Sequence, residues 1–262
     1  MRRDHSKIRT MRRTTAIIAG ILSATLSSQG DLVVYQSDFT GADLASAGLE
    51  VAQFDASSNW ILNTTDDRAE VSFGGGNDRA SLFTSDSWQS DAGFTLDIAF
   101  NQIVSGTRFS VGLVDAAAGV SGSSDWLNSG LSGRYGLGLV TQGEQAGGGD
   151  ALAFNNGAGS SVLSTAQGDI TFNTPQTLSI TVTPDRWSYS LNGAPSTTAS
   201  MSFDTSRSYR FIAFAQKSNS SDLSGSYFSD ITLTAIPEPA GPALLGTGIV
   251  VLMALRHQRT RR

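Results

Sequence analysis

The residues from Asp31 to Ala235 predict an all-β fold, an antiparallel two-sheet sandwich, on three observations. Apolar side chains alternate with polar ones through one short stretch after another, the period of a strand with one buried face. Glycine-rich and Asn-Gly segments separate these stretches. No stretch of this body sustains the helical period of about 3.6. The segments on either side, 1–30 and 236–262, differ in character and predict a signal helix before the sandwich and a transmembrane helix after it.

At the start, Arg2, Arg3, Lys7, Arg9, Arg12 and Arg13 form a basic region with Asp4 as its one acid, and an apolar run follows from Ala16 to Leu26. Small polar residues then lead to Gly30. This is the layout of a secretory signal peptide, with Ser28 and Gly30 at the small-residue positions before a cut ahead of Asp31. A signal anchor that is never cleaved, or a start at Met11, leaves the same expectation of export.

The strands follow in order. Strands are predicted near 32–39, 49–54, 59–63, 69–73 and 80–84. Phe94, Leu96, Ile98 and Phe100 then alternate with Thr95, Asp97 and Ala99, and Phe109, Val111 and Leu113 with Ser110 and Gly112. Further strands are predicted near 135–140 and 151–155. Leu178, Ile180 and Val182 make another alternating stretch, as do Trp187, Tyr189 and Leu191. Asn192-Gly193 after them suits the positive φ values of a tight hairpin turn. Phe211-Ile212-Ala213-Phe214-Ala215 is apolar on both faces, as a central strand covered on each side would be, and a last strand falls near 227–234. Gly74 to Asn77, Gly119 to Gly133 and Gly143 to Gly149 are the loops between them.

Charge and composition narrow the function. Of 18 Lys and Arg, six precede residue 14 and four follow residue 255, which leaves eight in the body. Of 23 Asp and Glu, all but Asp4 and Glu238 lie in the body, so it carries 8 − 21 = −13. A body this acidic repels nucleic acid and anionic lipid surfaces. The chain has no cysteine, and its two histidines, His5 and His257, lie in the flanking segments. The body is therefore without thiol chemistry, imidazole-ligated zinc or a Ser-His-Asp triad.

The carboxy-terminal segment has three parts: Ile236-Pro237-Glu238-Pro239, an apolar run from Ala240 to Leu255, and an Arg-rich end from Arg256 to Arg262. At 1.5 Å per residue the run of 16 residues is roughly 24 Å long, somewhat short of a hydrocarbon core of about 30 Å. Snorkelling of Arg256 and local thinning absorb the difference, and the Arg cluster stays cytoplasmic. This tail resembles the PEP-CTERM sorting signal of exported bacterial proteins. The resemblance implies that Pro237, Glu238 and Pro239 are read by an exosortase, and that the protein is anchored through its carboxy-terminal helix until processed. It also implies delivery to the cell surface or extracellular matrix.

The body resembles the concanavalin A-like jelly rolls of the lectin and laminin-G-like superfamily. The resemblance rests on Ser37-Asp38-Phe39-Thr40-Gly41, the Trp60 strand, Gly93 to Asp97, Arg108 to Asp115 and Tyr135 to Leu139. Trp187 to Gly193 and Phe228 to Leu233 complete it. It implies a jelly-roll domain over 31–235, in a superfamily that holds lectins, adhesion domains and glycosidases. Fold alone does not choose among these.

A glycosidase needs two carboxylates at a defined separation. The body has three glutamates, Glu50, Glu70 and Glu144, none within four residues of another, and its one adjacent acidic pair, Asp66-Asp67, would face opposite sides of a strand. A non-enzymatic, carbohydrate-binding or surface-structural module is the expectation, with a glycan hydrolase or lyase using an unrecognised acidic site as the alternative. Of the tryptophans, Trp60 and Trp187 sit in alternating strands and are predicted to be core, and Trp88 precedes a strand where it would cap the sandwich edge. Trp126 lies in a polar, Gly-bounded loop beside Asp125 and Asn128, either as a stacking platform for a sugar ring or folded back as a plug. No cofactor motif is present. Calcium is the one cofactor the resemblance leaves open, and Asp66, Asp67 and Asp78 match no spaced calcium loop, so no ligand is assigned. The charge favours neutral glycans, or acidic ones bridged by a divalent cation.

The tail gives a first test. Mass spectrometry of surface material from the native organism should recover peptides up to the Pro237–Pro239 region and none from Ala240 to Leu255. Intact tails in the mature surface protein would refute the sorting assignment.

Overall fold

The computed structural model describes residues 31–104, 108–117, 119–123, 135–141, 150–156, 160–166, 170–194, 197–200, 202–217 and 222–238. The predicted signal helix and transmembrane helix lie outside these, as does Pro239, while Pro237 and Glu238 continue the chain beyond the last strand without regular structure. Among the described residues there is no helix long and apolar enough to cross a membrane.

Fifteen strands are described: β1 (Leu32–Ser37), β2 (Leu49–Gln53), β3 (Ser58–Asn63), β4 (Arg68–Phe73), β5 (Arg79–Thr84), β6 (Phe94–Asn101), β7 (Arg108–Asp115), β8 (Tyr135–Thr141), β9 (Asp150–Asn156), β10 (Ser160–Ala166), β11 (Gln176–Thr183), β12 (Arg186–Leu191), β13 (Thr197–Ser200), β14 (Tyr209–Gln216) and β15 (Tyr227–Ala235). They form two antiparallel sheets. One runs β13-β12-β11-β6-β15-β4-β3, with β1 also paired to β15, and the other runs β10-β9-β8-β7-β14-β5-β2. The two-sheet, all-β expectation is met, and no helix occurs among the described residues. Residues Asp31–Ile236 form one compact unit.

The period-two pattern places each predicted core residue. Phe94, Leu96, Ile98 and Phe100 of β6 are buried, as are Leu178, Ile180 and Val182 of β11 and Trp187 and Tyr189 of β12. Register keeps these faces together: Ile180 stands opposite Leu96 and Tyr189, and Ile98 opposite Leu178 and Ile231. Trp60 and Trp187 are both core. Trp88 caps the edge as expected: it bridges Tyr209 by reciprocal backbone bonds of 2.8 and 2.7 Å, and its ring packs on Tyr35 at 5.6 Å. The doubly apolar β14 lies between β7 and β5 and is buried on both faces.

Three details differ from expectation. The first strand ends at Ser37, because Phe39 takes a φ of 59° and turns its ring into the core. Asn192 and Gly193 do have positive φ (52° and 71°), but the β12–β13 ladder closes at Tyr189–Thr197, so the turn sits within a longer connection. Strands β10 and β13 are new. Their sequences, SSVLSTA and TTAS, carry little apolar pattern, and both are edge strands, which need less of one.

Truncating Ile98 or Ile180 to Ala should cost about 2–5 kcal/mol each, and Ser179→Ala, on the half-exposed opposite face, within about 0.5 kcal/mol. Chemical denaturation of the three variants checks this, and equal losses at Ile180 and Ser179 would contradict the register.

Burial raises the pKa of two phenols: that of Tyr35 is pushed up to about 12, a Ser37 bond offsetting part of the rise, and that of Tyr209 rises further. The folded state therefore holds these protons more tightly than the unfolded chain, whose tyrosines titrate near 10. Their contribution to stability is complete below pH about 10 and is lost as pH rises through about 12. Phenolate absorbance followed with circular dichroism should show these two groups ionising together with unfolding. Full ionisation of all tyrosines in an intact fold would contradict their placement.

Candidate functional site

The outer face of the seven-stranded sheet is the place where the chain departs from a simple sandwich. Alternation turns Ser81 and Phe83 of β5, Ser110 and Val114 of β7, Val140 of β8, and Ile212 and Phe214 of β14 away from the core between the sheets, yet all are buried. A described segment lies over part of this face. After β7 ends at Asp115, the described residues 116–117 and 119–123 lie in turn against β14, β5 and β2. Val120 packs on a second apolar cluster of Phe83, Val114, Val140 and Ile212.

A segment laid over a sheet face brings backbone carbonyls that need donors. Three outward side chains supply them: Arg210 Nη2 donates to Ala116 O, Ser81 Oγ to Ser121 O and Arg79 Nη1 to Ser123 O, each at 3.0 Å. The two guanidinium groups rest on phenyl rings, Arg79 over Phe54 and Arg210 over Phe83, at 4.4 and 5.6 Å. Gly122 fits flat against the Ala52–Gln53 backbone, where a Cβ would overlap main-chain atoms.

The two ends of the β7–β8 connection meet at one cation. Val114 pairs with Gly136, which brings Asp115 and Tyr135 to the last rung of the ladder. Arg207 Nη1 donates to Asp115 Oδ2 at 2.5 Å, its Nε donates to Asp204 Oδ2 at 2.8 Å, and its guanidinium lies 3.6 Å over the Tyr135 ring. Asp115 Oδ1 accepts the Ala117 amide at 2.9 Å. Burial alone would lower the Arg207 pKa, but the bonds to Asp115 and Asp204 outweigh it and raise it. The Asp204 carboxyl is held below the usual carboxylate range, chiefly by the Ser206 hydroxyl and also by Arg207. Asp115 is 5 % exposed, whereas Arg207 and Asp204 are 32 and 38 % exposed and can meet a ligand.

The residues predicted to contact a glycan, Asp125, Trp126 and Asn128, lie outside the described residues, between Ser123, which accepts from Arg79, and Tyr135 at the start of β8. The acids that flank the Gly-rich turn do not converge. Asp78 is buried and accepts the Gly74 and Gly75 amides at 2.7 and 2.6 Å, Asp66 pairs with Arg68, and Asp67 turns a hairpin at φ 49°. Among the described residues no group of three His, Cys, Asp or Glu could hold a metal ion. Sequence reasoning missed Arg207 and Asp115. Asp115 ends an alternating strand and Arg207 sits in an unpatterned turn, so no sequence signal joins them. The site's chemistry is that of hydrogen bonding and aromatic contact.

No family model matches the chain, and no curated protein matches it in sequence. Solved structures do match in shape. The chain is similar to the carbohydrate recognition domain of Emp46p in its potassium-bound form (15 % identity, 72 % of this chain and 88 % of that one, TM-score 0.54). It is also similar to the exoplasmic/lumenal domain of VIP36 in its Ca2+/Man3GlcNAc-bound form (12 %, 80 % and 92 %, TM-score 0.57). A third is a Bacillus subtilis protein of unknown function with a galectin-like fold (9 %, 80 % and 99 %, TM-score 0.57). At these identities the likeness is one of fold, and the body has a lectin-like, galectin-like antiparallel sandwich.

Proposed function

We propose that this chain is an exported protein of the cell surface or extracellular matrix whose sandwich binds carbohydrate, without catalysis, at the β7–β8 connection. The observation that carries the reading is the pinned crossing itself. A segment fixed at Ala116, Ser121 and Ser123 lies on the apolar outer face of the seven-stranded sheet and leads, in sequence, into the stretch that holds Asp125, Trp126 and Asn128. Trp126 supplies the face for a sugar ring, and Asp125, Asn128 and the partly exposed Asp204 and Arg207 supply partners for hydroxyls. Solved domains of similar fold include the carbohydrate recognition domain of Emp46p and the exoplasmic/lumenal domain of VIP36 bound to Man3GlcNAc, which supports this choice of ligand class. Export follows from the signal-like start, and release from a carboxy-terminal membrane span follows from the Pro237-Glu238-Pro239 tail and its exosortase partner. No observation favours the hydrolase alternative, since the two carboxylates that approach each other at this site are both bonded to Arg207.

The test uses a panel of immobilised neutral and acidic polysaccharides. The exported protein should retain neutral members, and Trp126→Ala should weaken that binding by about 1–3 kcal/mol, the worth of an aromatic stacking contact, while barely moving the melting temperature. A stability loss of about 3–5 kcal/mol would instead make Trp126 a plug of the sandwich and remove it from the site.

A further inference from the structure

The first and last strands of the body begin and end at the same end of the sandwich. Leu32 stands opposite Ala235, Ala235 opposite Phe94, and Phe94 opposite Val182. Ile236 donates its amide to Gly93 O at 3.0 Å, so the chain leaves the sandwich beside the 85–93 connection. That connection holds Trp88, which exchanges backbone bonds with Tyr209, and Tyr209 stands opposite Asp115. Phe203, whose amide donates to Pro184 O at 2.9 Å, begins the turn that carries Asp204 and Arg207. The partly exposed Asp204–Arg207 edge of the candidate site and the root of the carboxy-terminal tail therefore share one end. Strand β11 runs from Thr183 at this end to Gln176, eight residues and about 23 Å in all, and Ala194 lies in the turn after β12 at the far end.

Chain length decides what this end faces. Only Pro237, Glu238 and Pro239 separate Ile236 from the apolar run that begins at Ala240. Four residue steps reach at most about 14 Å. The run is itself shorter than a hydrocarbon core, roughly 24 Å against about 30 Å, so it has no residue to lend to the linker. A headgroup zone of about 5–8 Å takes up much of that reach. At the same end, Leu32 and Val33 are the most exposed large apolar side chains among the described residues, at 65 and 50 %. They pair with Ala235 and Thr234, beside the point where the tail leaves.

We infer that this end of the sandwich is turned to the bilayer while the tail is inserted: Leu32 and Val33 rest at the lipid headgroups, and the Asp204–Arg207 edge of the candidate site is screened from polymeric ligands until the tail is released. The free height left under the body is roughly 6–9 Å, too little for a hydrated polymer to enter. The partner surface is zwitterionic lipid, because a body at −13 is repelled by an anionic one. The orientation rests on residues 240–255 being a membrane span, and the screening of a ligand rests further on the carbohydrate reading.

The chain has no cysteine, so a single introduced thiol reports on one place. Val33→Cys marks the apolar end, Ser202→Cys the exposed start of the Asp204 turn, and Ala194→Cys the exposed far end. Each full-length variant is reconstituted in phosphatidylcholine vesicles. With a fluorophore on the thiol and nitroxide on the lipid headgroups, emission from Val33→Cys should fall about threefold or more, and emission from Ala194→Cys should not change. Dextran-linked maleimide cannot cross the bilayer and reads outward-facing bodies alone. Relative to a small maleimide, it should modify Ser202→Cys roughly tenfold more slowly than Ala194→Cys. A flexible insert of about 20 residues after Glu238, with a reach of about 25 Å, should abolish that difference. Equal quenching of the Val33→Cys and Ala194→Cys labels, or equal modification of Ser202→Cys and Ala194→Cys without the insert, overturns the inference. Leu32→Cys takes the place of Val33→Cys if that variant does not fold. Protein that fails to float with the vesicles refutes the membrane span, and the inference falls with it. If neutral polysaccharides are not retained by the released protein, the carbohydrate reading and the screening of that ligand fail, and the quenching still decides the orientation.

Discussion

The contact on which the rest of the molecule depends is made by Phe228. Its ring stacks on Trp60 at 5.4 Å and on Phe109 at 5.5 Å, and meets Phe211 edge-on at 5.9 Å. Trp60 and Phe228 belong to the eight-stranded sheet, Phe109 and Phe211 to the seven-stranded one. Phe100 extends the stack by packing on Phe109 at 6.2 Å. Trp60 adds a directional tie, donating its indole N–H across to Ala80 O of β5 at 3.2 Å. A chain without cysteine has no covalent brace between its sheets, so this aromatic layer must supply both adhesion and register. Aromatic pairs contribute about 0.5–1.5 kcal/mol each beyond the burial of their area, enough to fix which rings face each other.

Once one face of the seven-stranded sheet is fixed on that layer, its other face can be used for something else. The apolar outward residues of β5, β7, β8 and β14 require a cover, and the segment of Val120 contributes to it. The cost of the cover is polar: carbonyl groups must find donors, and two arginine Nε atoms, of Arg79 and Arg210, are buried without a partner. Cation–ring contacts with Phe54 and Phe83 offset part of that cost. In a body at −13, the few arginines are thus spent where a fixed donor is needed, on a loop that the sheet would not otherwise hold.

The sequence made the fold legible wherever one face of a strand is buried and the other is not. Phe94 to Phe100, Leu178 to Val182 and Trp187 to Leu191 each show their inward face by alternation alone, and the doubly apolar Phe211 to Ala215 announced a covered central strand. The edge strands Ser160–Ala166 and Thr197–Ser200 were illegible because SSVLSTA and TTAS carry little apolar alternation, and an edge strand needs less of one. The described cluster of the site was not legible. The residues that the sequence does single out, Asp125, Trp126 and Asn128, form a local signal of a ring and two polar groups in a Gly-bounded loop, and they lie outside the described residues. The clamp of Asp115, Tyr135 and Arg207 joins residues 92 positions apart in its ion pair, and such a meeting is a product of strand order.

Strand order also explains why Phe228 is so heavily used. Its strand, β15, is the last of the described strands, and it pairs with β6 along its length on one side. On the other side it meets β4 at Tyr227 and Phe228 and then β1 from Ile231 to Ala235, so two short strands lie end to end along it. Removing β15 would split the larger sheet into β13-β12-β11-β6 and β4-β3, and would leave β1 with no partner. The first and last strands meet at Leu32 and Ala235, and Ile236 is then tied to Gly93 O at 3.0 Å and Ser90 Oγ at 3.2 Å. Nearly all of this pairing is non-local, the kind that makes all-β sandwiches slow to fold. Trp60 and Phe100 already meet Phe109 across the sheets at 6.4 and 6.2 Å, and Phe228 adds its three ring contacts to them, so the strand that completes the aromatic layer is the same one that makes the larger sheet continuous and pairs the two ends of the body.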